Sequence, residues 1–190
     1  IHIMENYQNA GKGLKQMFIA EIGAIICGVL AIIPIIGLVA GIAALVFAIL
    51  SLVGLYGAGK DIEGCKTAFM VTIVKMVVSI LGSFFSTGIF GAIISIADSV
   101  LALLIVYYVC TSVAAVMNNI GQSEVAQKGM NVWKINLVCY VITIAITVLA
   151  LIPVLNILAG IVGIVVGIVA IVAGILYMIF LYKSYQALGA

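Results

Sequence analysis

The sequence predicts an all-α membrane protein: six transmembrane helices in three tandem hairpins, with both termini cytoplasmic. Three observations carry this prediction. Hydrophobic residues make up 66% of the 190 and charged residues only 7%, whereas soluble domains have about 45–50% apolar and about 25% charged residues. The apolar residues fall into six runs, each near the ~20 residues that cross a hydrocarbon core. Seven of the eight lysines lie on one side of a six-span arrangement, and by the positive-inside rule that side is cytoplasmic.

The spans follow in order over residues 14–34, 37–58, 66–86, 88–110, 132–153 and 156–182. Lys12 and Lys15 precede the first. The turn Pro34-Ile35-Ile36-Gly37 separates it from the second, since proline stops a helix and glycine accepts the turn conformation. Lys60 and Lys66 flank the next connector, and Ser86-Thr87-Gly88 divides the third span from the fourth. The stretch Asn118 to Gln127 reads as the longest loop, a plain link between the second and third hairpins, with Lys128 and Lys134 after it. Pro153-Val154-Leu155-Asn156 divides the last two spans, and Lys183 follows them. The three tight turns carry no charge and face out. Tyr56, Tyr107, Tyr108, Tyr177 and Tyr182 gather near the inner ends of the even spans, as an aromatic belt would. Met4 is expected to be the natural start, with Ile1-His2-Ile3 added ahead of it.

The chain reads as one domain, residues 1–190, built from hairpin units over about 13–58, 64–110 and 129–182. Residues 30–42 and 149–161 share seven of thirteen identities at an offset of 119. The middle unit matches the first by spacing, since Gly13 to Gly37 and Gly64 to Gly88 are both 24 residues. Such repeats point to a pseudo-threefold or a linear arrangement of hairpins. Small residues keep the same offset: Gly37, Gly41, Ala44 and Ala48 in the second span match Asn156, Gly160, Gly163 and Gly167 in the sixth. Lipid supplies no hydrophobic drive between helices, so small residues that let backbones approach form packing seams. Those seams suggest a homo-oligomer or a membrane-protein partner.

Three ionisable residues lie within spans: Glu21, Lys75 and Asp98. Charge inside a bilayer is costly and marks function by default. Lys75 stands 12 residues before Thr87 and Asp98 stands 11 after it. At about 1.5 Å per residue, both lie roughly 17 Å below the outer turn and face each other. Glu21 falls about one turn nearer the cytoplasm, within approach of Lys75 if the first two hairpins pack together. Thr72, Ser79, Ser83 and Ser86 share a helical stripe with Lys75, while Ser95 and Ser99 share one with Asp98. The cluster is either a structural ion pair with serines bonded across the hairpin, or a proton or ion path with Lys75 as counter-charge. A pair sealed by side chains would favour the first, and a cavity reaching it the second.

Other chemistries are excluded on composition. Eight basic residues at net +2 make no footprint for nucleic acid. The chain has no arginine and one histidine, His2, and its acids do not cluster, so a metal site is not expected, and no Ser-His or Cys-His dyad is possible if His2 precedes the natural start. Cys27, Cys65, Cys110 and Cys139 form no C-x-x-C pair and read as small buried hydrophobes. The expectation is a non-enzymatic protein without cofactor or metal, partnered first by the lipid bilayer and acting by packing or partner binding, with a small proton or ion channel or transporter built on Glu21, Lys75 and Asp98 as the alternative.

Residues 23–34, with small residues spaced through a span and a proline at its end, and Gly54-Leu55-Tyr56 closing the second span, resemble the short repeat of HdeD-like bacterial membrane proteins. The third unit closes with Leu181-Tyr182, without the glycine. The resemblance implies a six-span protein of the bacterial cytoplasmic membrane with a role in stress or acid resistance. It implies no catalytic residue.

Overall fold

The computed structural model describes residues 7–30, 34–84, 88–152 and 156–189. Its helices are α1 (Gln8–Leu30), α2 (Pro34–Ala58), α3 (Glu63–Phe84), α4 (Gly88–Asn119), α5 (Ser123–Leu149) and α6 (Asn156–Ala187). Each holds a segment long and apolar enough to cross a membrane. No strand occurs among the described residues. The expected start at Met4, and the turn residues Ile33, Ser86, Thr87 and Pro153 to Leu155, lie outside those described.

Each helix packs on the next in chain order, and α6 returns against α1. The six therefore close a ring rather than a linear row. Close contacts fix the registers. A Cβ added at Gly13 would overlap the backbone of Gly54 and Ala58, and one at Gly129 would overlap the Phe180 ring. These glycines are needed because the neighbouring chain occupies the space of a side chain.

The helices converge at their lysine-bearing ends. Leu14, Met17, Leu55, Cys65, Val109, Val113, Met117, Phe180 and Leu181 pack there into one buried core. Dispersion between close-packed side chains holds such a core, because lipid is as apolar as the side chains themselves. Towards the tight-turn ends the bundle loosens. A Cβ at Gly28, Gly41, Gly160, Gly163 or Gly167 would meet nothing within 4 Å.

The connectors at the lysine end are shorter than the sequence suggests. Residues 118–127 are not a long loop: α4 runs to Asn119 and α5 starts at Ser123. Gly121, with φ +79°, ends α4. The Gln122 amide bonds Met117 O at 2.7 Å and the Gly121 amide bonds Asn118 O at 3.1 Å, the two bonds of a Schellman cap. Polar residues there extend helices beyond the apolar runs, helped by the i,i+4 pair of Glu124 with Lys128 at 2.7 Å. The first helix likewise begins earlier than expected. Asp61, from the α2–α3 connector, accepts a bond from the Ala10 amide at 2.7 Å and one from Asn9 Nδ2 at 3.1 Å. It thereby satisfies a free amide of the first turn of α1.

Candidate functional site

Lys75 on α3 and Asp98 on α4 form an ion pair, with Nζ 3.0 Å from Oδ1. Ser79, one turn beyond Lys75, donates to the same Oδ1 at 2.6 Å. The register of the two helices brings these groups together. At the lysine end, a Cβ on Gly64 would overlap the Ser112 side chain, and at the other end one on Gly82 would touch Ile94 at 3.0 Å. The two side chains keep 29% and 34% of their surface exposed, so they are not sealed.

Two cavities meet at this pair. The first, of about 490 Å³, is bounded mainly by α1, α2 and α3, with Ile105 of α4 and Tyr177 of α6. Glu21 and Lys75 both line it, together with Ser51, Thr72 and Ser79. Its remaining wall is almost wholly apolar. The second, of about 550 Å³, lies among α3, α4 and α5 and is lined by Ser79, Ser95, Asp98, Ser99, Thr143 and Thr147. Ser79 lines both. The hydrogen-bonded group of Lys75, Asp98 and Ser79 therefore stands as a polar partition between an apolar chamber holding Glu21 and a hydroxyl-lined chamber holding Asp98. Towards the lysine end, buried Met17 and Leu55 form part of the wall of the first chamber.

Glu21 shares a chamber with Lys75, yet no ion pair or hydrogen bond to its carboxyl is found among the described residues. An ammonium group has three donors. Lys75 can therefore hold Asp98 and still offer a donor to another acceptor.

Most hydroxyls of the two stripes do not bond across the hairpin. Thr72 donates to Ala68 O at 2.8 Å, Ser83 to Ile80 O at 2.6 Å and Ser99 to Ser95 O at 2.8 Å. Threonine and serine inside a helix commonly satisfy themselves this way. Ser79 is the one that reaches Asp98. Ser83 lines neither chamber. Among the small residues, Ala44 and Ala48 line the first chamber, while Gly41, Gly160, Gly163 and Gly167 face open space. The side chains of Gly37 and Asn156 lie outside the described residues. The glycines at close helix contacts are others, among them Gly13, Gly54, Gly64 and Gly129.

Thr143 and Thr147 belong to the site though not singled out from the sequence, and Tyr177, expected in an aromatic belt, joins them. Asn136, Tyr140, Thr143 and Thr147 recur at helical spacing on α5, and that stripe was the available signal. Tyr177 turns into the first chamber, whereas Tyr56, Tyr107 and Tyr182 are exposed near the lysine end. All four cysteines are free and buried. Among the described residues, no group of three or more His, Cys, Asp or Glu side chains gathers as a metal site would. Comparison with protein-family models, curated proteins and solved structures finds no match for this chain.

Proposed function

We propose that this chain is a small proton or cation pathway in the bacterial cytoplasmic membrane, built from three tandem hairpins with both termini inside. The observation that carries the reading is that Ser79 lines both chambers while holding the carboxylate of the Lys75–Asp98 pair. A proton reaching Asp98 from the hydroxyl-lined chamber would cancel its charge and weaken its hold on Lys75. The ammonium would then turn towards Glu21, the other carboxyl in its chamber. Exchange of Lys75 between two acids would open and close the partition, with no covalent step and no cofactor. A role in acid stress, which the HdeD-like resemblance implies, is compatible with such handling of protons.

Proton flux into liposomes, followed with an internal pH-sensitive dye, tests this. The parent protein is expected to dissipate an imposed pH gradient, and Asp98→Asn to slow it at least about a hundredfold, the lower end of what a positioned proton-transfer group contributes. Unchanged flux in the variant, or none in the parent, overturns the reading.

A second reading, self-association or pairing with another membrane protein, is favoured by the open small-residue faces of α2 and α6. Gly41, Gly160, Gly163 and Gly167 leave room there for a second backbone. Crosslinking in native membranes that yields only monomer would remove it.

A further inference from the structure

The first chamber has a chemical character that proton passage does not require. Its volume of about 490 Å³ falls in the ~300–1,000 Å³ range of small-molecule sites. Its wall is apolar apart from a few groups, and the two charged ones differ in status. Lys75 is neutralised by Asp98 at 3.0 Å. Glu21 has no ionic partner among the described residues. The carboxyl left in the chamber for a bound cation to pair with is therefore that of Glu21. The aromatic rings of Phe47 and Tyr177 also line it, and ring faces attract cations, most strongly where water is scarce.

The chamber also has a side entrance. Helices α2 and α3 have the least extensive contact of any consecutive pair. They touch near the lysine end, where the Tyr56 and Phe69 rings stand 5.5 Å apart. Further along, Leu45 and Ile80 line the chamber and are 66% and 60% exposed. A gap rimmed by such side chains admits apolar molecules from lipid more readily than ions from water.

We propose that this chamber binds a lipophilic organic cation, an ammonium or phosphonium carrying apolar arms, which enters between α2 and α3 and pairs with Glu21. Apolar arms match the wall, and the positive centre supplies the charge that Glu21 lacks. Anionic amphiphiles are disfavoured because the charge of Lys75 is already matched by Asp98 and the Glu21 carboxyl would meet a second anion. Zwitterionic lipid brings its own counter-charge and needs none from Glu21.

The test is equilibrium binding of radiolabelled tetraphenylphosphonium to the full chain in nanodiscs of zwitterionic lipid. Saturable binding near one per chain is expected, whereas tetraphenylborate, of the same shape and opposite charge and assayed in a separate sample, should bind no more than it does to nanodiscs without protein. Glu21→Gln should weaken binding at least about thirtyfold, the lower end of the scale for truncating one partner of a desolvated charge pair. Ala48→Phe, which adds a ring at another point of the chamber wall, should abolish binding, and an unchanged thermal unfolding midpoint in both variants separates lost binding from misfolding. Equal binding of tetraphenylborate, or unchanged binding in either variant, overturns the proposal. Binding is read without any pH gradient. Its failure thus leaves the proton pathway standing, and normal binding by a chain that carries no proton flux overturns the pathway alone.

Discussion

Lys75 and Asp98 pair at 3.0 Å across two neighbouring helices while about a third of each side chain remains exposed. A pair of this kind lies between two limits. Exposed pairs contribute about 0–1 kcal/mol, and breaking a sealed one costs about 3–5 kcal/mol. Asp98→Leu and Lys75→Met should each destabilise the fold by about 1–3 kcal/mol, between those limits. The double substitution Lys75→Met with Asp98→Leu should recover most of the loss, because neither charge is left unpaired. Reversible unfolding in mixed micelles measures this. Additive losses in the double variant would show that the two side chains are not coupled.

The glycines separate into two groups with opposite expectations. Gly13 lies where a Cβ would overlap the backbone of Gly54 and Ala58. Gly13→Ala should therefore cost about 1–3 kcal/mol, the scale of an overpacked contact. Gly167 faces open space. Gly167→Ala should be neutral or stabilise by up to about 1 kcal/mol, the helix-interior preference of alanine over glycine. Thermal unfolding in detergent compares the two. Equal losses would contradict the convergence of the helices at the lysine end. Loss at Gly167 only in membranes, together with loss of a crosslinked dimer, would mark its face as an interface.

Asp61 holds the start of α1 from outside the helix, through the Ala10 amide and Asn9. Asp61→Ala should destabilise by about 1 kcal/mol, as for loss of an N-terminal cap. Asp61→Asn should lose less, because the amide oxygen still accepts a bond. Hydrogen exchange at residues 8–12 gives a local reading. Faster exchange confined to that turn is expected, and uniform acceleration along α1 would argue against a capping role.

Much of the bundle was legible in the sequence, because lipid imposes simple rules. Apolar runs near 20 residues must be helices with internally satisfied backbones, and Pro34, Gly88 and Pro153 mark their breaks. The meeting of Lys75 with Asp98 was legible as well, since counting residues from a shared turn fixes relative depth along two antiparallel helices. The extent of the helices beyond the apolar runs was not. Glu124, Gln127 and Lys128 are polar, but they are good helix formers, and the hydropathy of a segment is silent about helix that leaves the membrane. Which small residues touch was not legible either. Gly13 and Gly163 look alike in sequence, and only the splay of the helices decides that one is filled and the other open. Tyr177 shows the same limit: its position suits an interfacial belt, but the rotation of α6 turns it into the chamber.

Proton passage as proposed requires chambers that reach the Lys75–Asp98 pair and that the core separates from the lysine end. Cysteine accessibility tests this most directly. Cys65 and Cys110 have no exposed surface, and Cys27 and Cys139 are 5% and 6% exposed, so the background reaction is expected to be low. Ser95→Cys and Thr147→Cys would each place a thiol in the second chamber. A small, membrane-impermeant cationic methanethiosulfonate should modify both when added on the side opposite the termini. Added on the lysine side, it should leave both unmodified. Absence of labelling from either side, or equal labelling from the lysine side, would contradict the account.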